Sequence, residues 1–244
     1  MSKEYVPLRD YVAFDIETTG LHPEQDEIIE IGAVRYREGV PVESYTSFIR
    51  PKARVSEKIT EITGITNDIL LGERECTEVL PEFLAFVKDD VVIGHNVRFD
   101  HSFIKLQAEL QQRTFRNKAI DTLYLAKKLH PDLESRSLAA MCQYYGIINE
   151  RAHRAKEDAV ACAKLYELLL QQFYENAPKV FQARQIVYKR KKIEGITTRQ
   201  KYYLNDLAKY HKINLEMPIE ELSKSEASRL IDKIIFNYGR ISYR

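Results

Sequence analysis

Much is missing from this chain, and each absence narrows what it can be. There are three cysteines, Cys76, Cys142 and Cys162, and none belongs to a Cys-x-x-Cys pair. An odd number of scattered thiols in locally apolar surroundings predicts reduced core residues and argues against disulfides or zinc ligands. No apolar run approaches the ~18–20 residues that a bilayer span needs, so no membrane contact is expected. The opening Met1-Ser2-Lys3-Glu4 is polar and no signal-peptide apolar stretch follows it, which predicts an unprocessed cytoplasmic protein. Fixed-period repeats and low-complexity tracts are absent as well, which excludes solenoids and arrays. Net charge is almost missing: 37 basic against 36 acidic residues leave +1.

What is present is the composition of a globular protein, 44% hydrophobic and 30% charged over 244 residues. That length holds one large domain, or a domain of about 150–180 residues with a small one attached. The charge is unevenly placed. Lys179, Arg184, Lys189, Arg190, Lys191, Lys192, Arg199, Lys201, Lys209 and Lys212 face only Glu194 and Asp206 in their stretch. Such an asymmetry fits contact with a polyanion, and it equally fits a solvated linker and helix face.

Patterning predicts an α/β domain. Tyr11 to Ile16, Glu27 to Arg37 and Val42 to Ile49 read as three strands, with Glu38-Gly39 as a tight antiparallel turn between the last two. Helices are expected from Ser56, from Glu78 to Val87, and from Phe99-Asp100 to about Gln112, the last preceded by the buried strand Val91–Gly94. A short strand end at Ala119–Thr122 and helices over 123–129, 137–145 and 155–173 follow. The sum is a mixed central sheet, an antiparallel meander plus parallel strands, with helices on its faces. Expected boundaries are a main domain over 1–176, a basic linker over 177–196 and a small helix–loop–helix module over 197–244. Thr197-Thr198-Arg199-Gln200 and Ser223-Lys224-Ser225-Glu226 read as capping boxes that start its two helices.

Two acids interrupt the first strand. In Phe14-Asp15-Ile16-Glu17-Thr18-Thr19-Gly20 the side chains alternate, so Asp15 and Glu17 share a face while Ile16 points into the core. Paired carboxylates repel each other, and a divalent cation turns that repulsion into binding. Acids at strand ends are also common without any site. Asp100 opens a helix just after a parallel strand, where α/β sheets carry functional groups. Asp158 lies in the first turns of the last helix, with His153 five residues earlier. Five residues on an ideal helix put two side chains about 140° apart, so His153 is expected on an approach loop and Asp158 in the helix.

Three stretches taken in order, Phe14 to Gly20, Gly94-His95-Asn96-Val97-Arg98-Phe99-Asp100, and His153-Arg154-Ala155-Lys156-Glu157-Asp158, resemble the DEDDh group of DnaQ-like 3′–5′ exonucleases. The resemblance covers about residues 10–173 and includes Thr63-Gly64-Ile65-Thr66, where Thr63 stands in place of a histidine found in some relatives. It implies an RNase H-like exonuclease fold for 1–176. It also implies that Asp15, Glu17, Asp100 and Asp158 hold two Mg²⁺ or Mn²⁺ ions about 3.5–4 Å apart, with His153 as general base. Thr18, His95, Asn96 and Phe99 would line the terminal nucleotide, with Phe99 or Phe103 stacking on its base. The implied reaction releases nucleoside 5′-monophosphates from the 3′ end of single-stranded nucleic acid, DNA ahead of RNA. Two alternatives stand beside it: an exoribonuclease, and a catalytically silent nucleic-acid-binding or polymerase-docking scaffold. Under the leading reading, the basic linker and C-terminal module would tether the enzyme to DNA, RNA or another protein, such as a DNA polymerase or another replication or repair partner.

Overall fold

Tyr11-Val12-Ala13-Phe14 is wholly buried, and the strand it begins organises the sheet. The computed structural model describes residues 6–188, 194–215 and 218–241; Lys189 to Lys192 of the basic stretch lie outside them. The chain forms two compact units, Met1–Lys189 and Arg190–Arg244.

The first unit runs β1 (Tyr11–Thr18), β2 (Ile28–Arg37), β3 (Val40–Phe48), α1 (Glu57–Thr63), α2 (Asn67–Leu70), α3 (Cys76–Val87), β4 (Val92–Gly94), α4 (Arg98–Leu110), β5 (Lys118–Asp121), α5 (Thr122–Leu129), α6 (Leu138–Tyr145), α7 (Ala155–Phe173) and β6 (Arg184–Gln185). The six strands lie in the order β3-β2-β1-β4-β5-β6. β1 pairs antiparallel with β2 and parallel with β4, β3 antiparallel with β2, and β5 parallel with β4. This is the mixed sheet expected from the sequence.

Alternation along β1 divides the core in two. Val12, Phe14 and Ile16 pack with Leu80, Phe83 and Val87 of α3 and Phe103 of α4. Tyr11 and Ala13 pack with Leu165, Tyr166 and Leu169 of α7 and Met141 of α6. Asp15 and Glu17 continue the second face toward the strand's end, so they emerge beneath the start of α7. β2 does not alternate because both of its faces are covered, every residue but Arg37 being buried.

Gly32 sets how close α7 comes. It is the cross-strand partner of Asp15, and a Cβ there would stand 2.1 Å from Lys156 N and 2.4 Å from the Ala155 carbonyl carbon. The first turn of α7 therefore rests on bare backbone directly beside Asp15. The Thr63-Gly64-Ile65-Thr66 stretch is helix punctuation: Gly64 ends α1 at φ +70°, and Thr66 caps α2 by accepting from Ile69 N.

One boundary differs from expectation. Residues 178–188 are folded within the first unit and are not linker. Phe181, in a 3₁₀ turn over Pro178–Phe181, is buried against Tyr166 and Tyr174, and β6 pairs antiparallel with β5. α3 also begins two residues before the expected Glu78, because Glu75 caps it in a box with Glu78.

The second unit holds α8 (Thr198–His211) and α9 (Lys224–Tyr238), each opened by the capping box read from the sequence, Thr197 with Gln200 and Ser223 with Glu226. Leu204, Leu207, Ile219, Leu222, Ala227 and Ile234 form its core. Among the described residues no helix is long and apolar enough to cross a membrane.

Gly32→Ala tests the seat of α7. The added methyl meets backbone, which cannot yield as a flexible side chain would, so overpacking of about 1–3 kcal/mol is expected. A thermal melt should then fall by roughly 2–12 °C, at about 2–4 °C per kcal/mol for a chain of this size. An unchanged melting temperature would mean that α7 is not held against the strand.

Candidate active site

Four acids from three elements, and one histidine from the loop before α7, reach the end of β1. Asp15 and Glu17 come from β1 itself. Asp100, in the first turn of α4, is 3% exposed, and its Oδ1 accepts from Ile16 N at 3.2 Å. That bond inserts the carboxylate behind the strand residue lying between Asp15 and Glu17. Asp158, in the first turn of α7, accepts from Asn149 Nδ2 at 2.6 Å on Oδ1 and from His153 N at 3.0 Å on Oδ2. His153 lies outside the helix, exposed, at φ +64°. A ligand atom of each of Glu17, His153 and Asp158 lies within 4.8 Å of the other two. Both oxygens of Asp158 are thus anchored by the loop that presents His153.

Electrostatics mark the cluster as short of positive charge. Burial, then Asp100, Glu17 and Asp158, push Asp15 well above the usual carboxylate range. Glu17 is pushed up to about 8, first by burial and then by Asp158, Glu30 and Asp100, with Arg154 opposing. Burial also drives Asp100 up to about 7 against the hydrogen bond from Ile16. Asp158 is raised by burial, while its bonds from Asn149 and His153 hold it back. Arg154 cannot neutralise the group alone, because its guanidinium is committed to Glu30 through bonds of 3.2 and 2.9 Å. A nearly all-oxygen donor set with surplus negative charge fits a hard divalent cation.

Not every residue expected at the site has a free group there. His95 uses both ring nitrogens internally: Nε2 donates to the Arg136 carbonyl at 2.8 Å and Nδ1 meets Thr122 Oγ1 at 2.9 Å. It ties the end of β4 to the loop before α6, and burial lowers its pKa. The Thr18 hydroxyl donates to the Gly20 carbonyl at 2.6 Å and shapes the turn. Phe103 is fully buried in the core and has no face to offer a base, so its expected stacking role is corrected. Phe99 is half-buried, its ring 5.0 Å from that of Phe103. Asn96 is exposed at φ +65°, with its backbone N–H donating to Asp121 Oδ1.

Three residues near the site escaped the sequence reading. Asn149 orients Asp158, and nothing in the sequence marks it. Glu30 and Arg154 form a pair beside Glu17; an acid inside Ile28-Ile29-Glu30-Ile31 was a readable signal, since a charge in a doubly covered strand needs a partner.

Comparison with known proteins places the chain in a family. The exonuclease family profile, RNase_T, matches residues 12–166. A DNA polymerase III of PolC type from Clostridium perfringens is 41% identical over 166 residues, 68% of this chain and 12% of the polymerase. The chain therefore spans only a small part of that relative. A DNA polymerase III subunit epsilon from Aquifex aeolicus is 37% identical over 165 residues, 67% of this chain and 82% of the subunit. Among solved structures, Exonuclease X in complex with 5′ overhanging duplex DNA superposes with a TM-score of 0.57 at 22% identity, over 70% of this chain and 96% of the other. The family match and these relatives together define an exonuclease domain. The chain belongs to the exonuclease family, in its DnaQ-like, epsilon-related branch.

The raised carboxylates have a consequence for stability. Glu17 has a folded value of about 8 against an ordinary 4.5, so the folded state holds its proton more tightly than the unfolded chain does. The stability this gives is present below the ordinary value and is lost as pH rises through the folded one. With chelator present, the melting temperature should fall between about pH 4.5 and 8, and Glu17→Gln should flatten the fall. Identical slopes for the two proteins would refute the assignment of the strain to this carboxylate.

Proposed function

We propose that this chain is a 3′–5′ exonuclease that releases nucleoside 5′-monophosphates from a single-stranded DNA end with two Mg²⁺ or Mn²⁺ ions. The observation that carries it is the convergence of Glu17, His153 and Asp158 within 4.8 Å, beside Asp15 and Asp100, whose carboxyl groups burial and mutual repulsion push above the usual range. Asp15, Glu17, Asp100 and Asp158 would hold the ions, whose bound chemistry is activation of water and neutralisation of charge on the phosphodiester.

The protein's own groups supply the rest. Ile16 N fixes the Asp100 carboxylate, and Asn149 with His153 N fixes that of Asp158. The His153 imidazole, exposed at the mouth of the site, takes the proton from the attacking water. Water adds to phosphorus, the bond from phosphorus to the 3′-oxygen of the preceding nucleotide breaks, and the shortened strand keeps a 3′-hydroxyl. Asn96 and the free edge of Phe99 are the groups left to meet the terminal nucleotide. Similarity to DNA polymerase III chains supports DNA over RNA.

The second unit suits a tether. α8 exposes Arg199, Tyr202, Lys209 and Tyr210, and basic residues interleaved with aromatics match a single-stranded polyanion. We take nucleic acid as its partner, ahead of a polymerase. The charge reversal Arg199→Glu with Lys209→Glu should weaken oligonucleotide binding at low salt. It should also flatten the salt dependence, by roughly 0.7 units of log–log slope for each phosphate of a single strand that is no longer neutralised. Binding and slope unaltered in that variant would remove the tether.

The reaction itself is tested with 5′-labelled single-stranded DNA and RNA of matched sequence, with Mg²⁺ or Mn²⁺ and with chelator. A metal-dependent ladder shortening from the 3′ end is expected, absent for Asp15→Ala. His153→Ala should slow it by roughly 10²–10⁴ and leave metal affinity nearly intact. RNA shortened faster than DNA would make the enzyme an exoribonuclease. Binding without any cleavage would make it a scaffold.

A further inference from the structure

We propose that Glu30 and Arg154 form a clamp that positions His153 for proton transfer; the inference rests on the reading of His153 as general base. Glu30 is fully buried on β2, directly across from Glu17. Its carboxylate takes three hydrogen bonds from the chain just after His153: Arg154 Nε at 3.2 Å, Arg154 Nη2 at 2.9 Å and Ala155 N at 3.2 Å. The Arg154 guanidinium lies 5.1 Å over the Phe48 ring, so its plane is set on a second side.

These bonds bracket His153. Its own N–H is held by Asp158 Oδ2, and the next two residues are held by Glu30. Between the two anchors the backbone sits at φ +64°, a conformation uncommon for a residue with a side chain. Released from either anchor, residue 153 would relax toward negative φ and swing its imidazole off Glu17 and Asp158. A fork is needed because a guanidinium meets a carboxylate in bidentate geometry, whereas a lysine offers a single movable point of charge.

Stability does not account for the pair. Burying the Glu30 charge costs desolvation that its pairing with the partly exposed Arg154 seldom more than offsets, and Glu30 adds repulsion to Glu17, already crowded by acids. An aliphatic residue in that strand would remove both costs. Holding the histidine loop against β2 is what the pair does that an aliphatic residue cannot.

The test is a mutant cycle in the full chain, reading kcat and KM on a single-stranded oligonucleotide and the Mg²⁺ midpoint. Glu30→Gln and Arg154→Gln should each lower kcat by roughly 10–100-fold, with KM and the Mg²⁺ midpoint within about threefold of wild type. Arg154→Lys should recover part of the loss. Placed on His153→Ala, Glu30→Gln should cost less than about twofold more, since a positioning device has nothing left to position. A full multiplicative loss in that background would overturn the clamp, as would a rate lost only through a displaced Mg²⁺ midpoint. Slow His153→Ala beside fully active Glu30→Gln and Arg154→Gln would end the clamp while the general base stood. Full activity in His153→Ala would end both. A thermal melt shows whether each variant folds, and Arg154→Gln, at the partly exposed partner, carries the test should Glu30→Gln not fold.

Discussion

Crowded negative charge at the end of one buried strand is the constraint on which this molecule turns. Asp15, Glu17, Asp100 and Asp158 are pressed together where burial strips them of water, and each is pushed toward its protonated form. Such an arrangement does not assemble by default, and the surrounding fold supplies the means. β1 is rigid because it is paired on both edges and packed on both faces. Gly32 lets α7 reach backbone contact beside Asp15, and Ile16 N draws Asp100 in from α4. Local instability is concentrated at the site and offset by the two cores that flank it, as expected where function dictates sequence.

Much of that design was readable because it is local. Alternation at Asp15-Ile16-Glu17 and the capping boxes at Thr197 and Ser223 each depend on neighbours within about four residues. What escaped reading depends on distant partners. Phe103 looks like any aromatic near a motif until α4 packs on β1 and takes it into the core. His95 stands inside a motif, yet its ring is used by Thr122 and by the carbonyl of Arg136, 41 residues away. Phe181 hides in a stretch whose composition is polar, and one buried ring is enough to fold that stretch onto the sheet.

Glu30 belongs between these cases. Its neighbours announced a buried strand, so an acid there had to be paired, but nothing local named Arg154 as the partner 124 residues on. Only the seating of α7 on β2 brings the two together. The same seating carries Asp158 into the site and sets the loop before it, so helix placement and site geometry are one structural event.

That unity bears on how the histidine works. Asp158 has two roles that compete for the same oxygens: it points at the cluster and it accepts from Asn149 and His153 N. A cation drawn to Asp158 would share those oxygens with the loop, so the loop needs an anchor independent of the cluster. Glu30 is placed to be that anchor, since all three of its hydrogen bonds go to Arg154 and Ala155. Acids that attract charge and an acid that holds the loop stand side by side on the sheet at Glu17 and Glu30. Their partners separate their tasks: the Arg154 fork satisfies Glu30, and Glu17 is left open to the site.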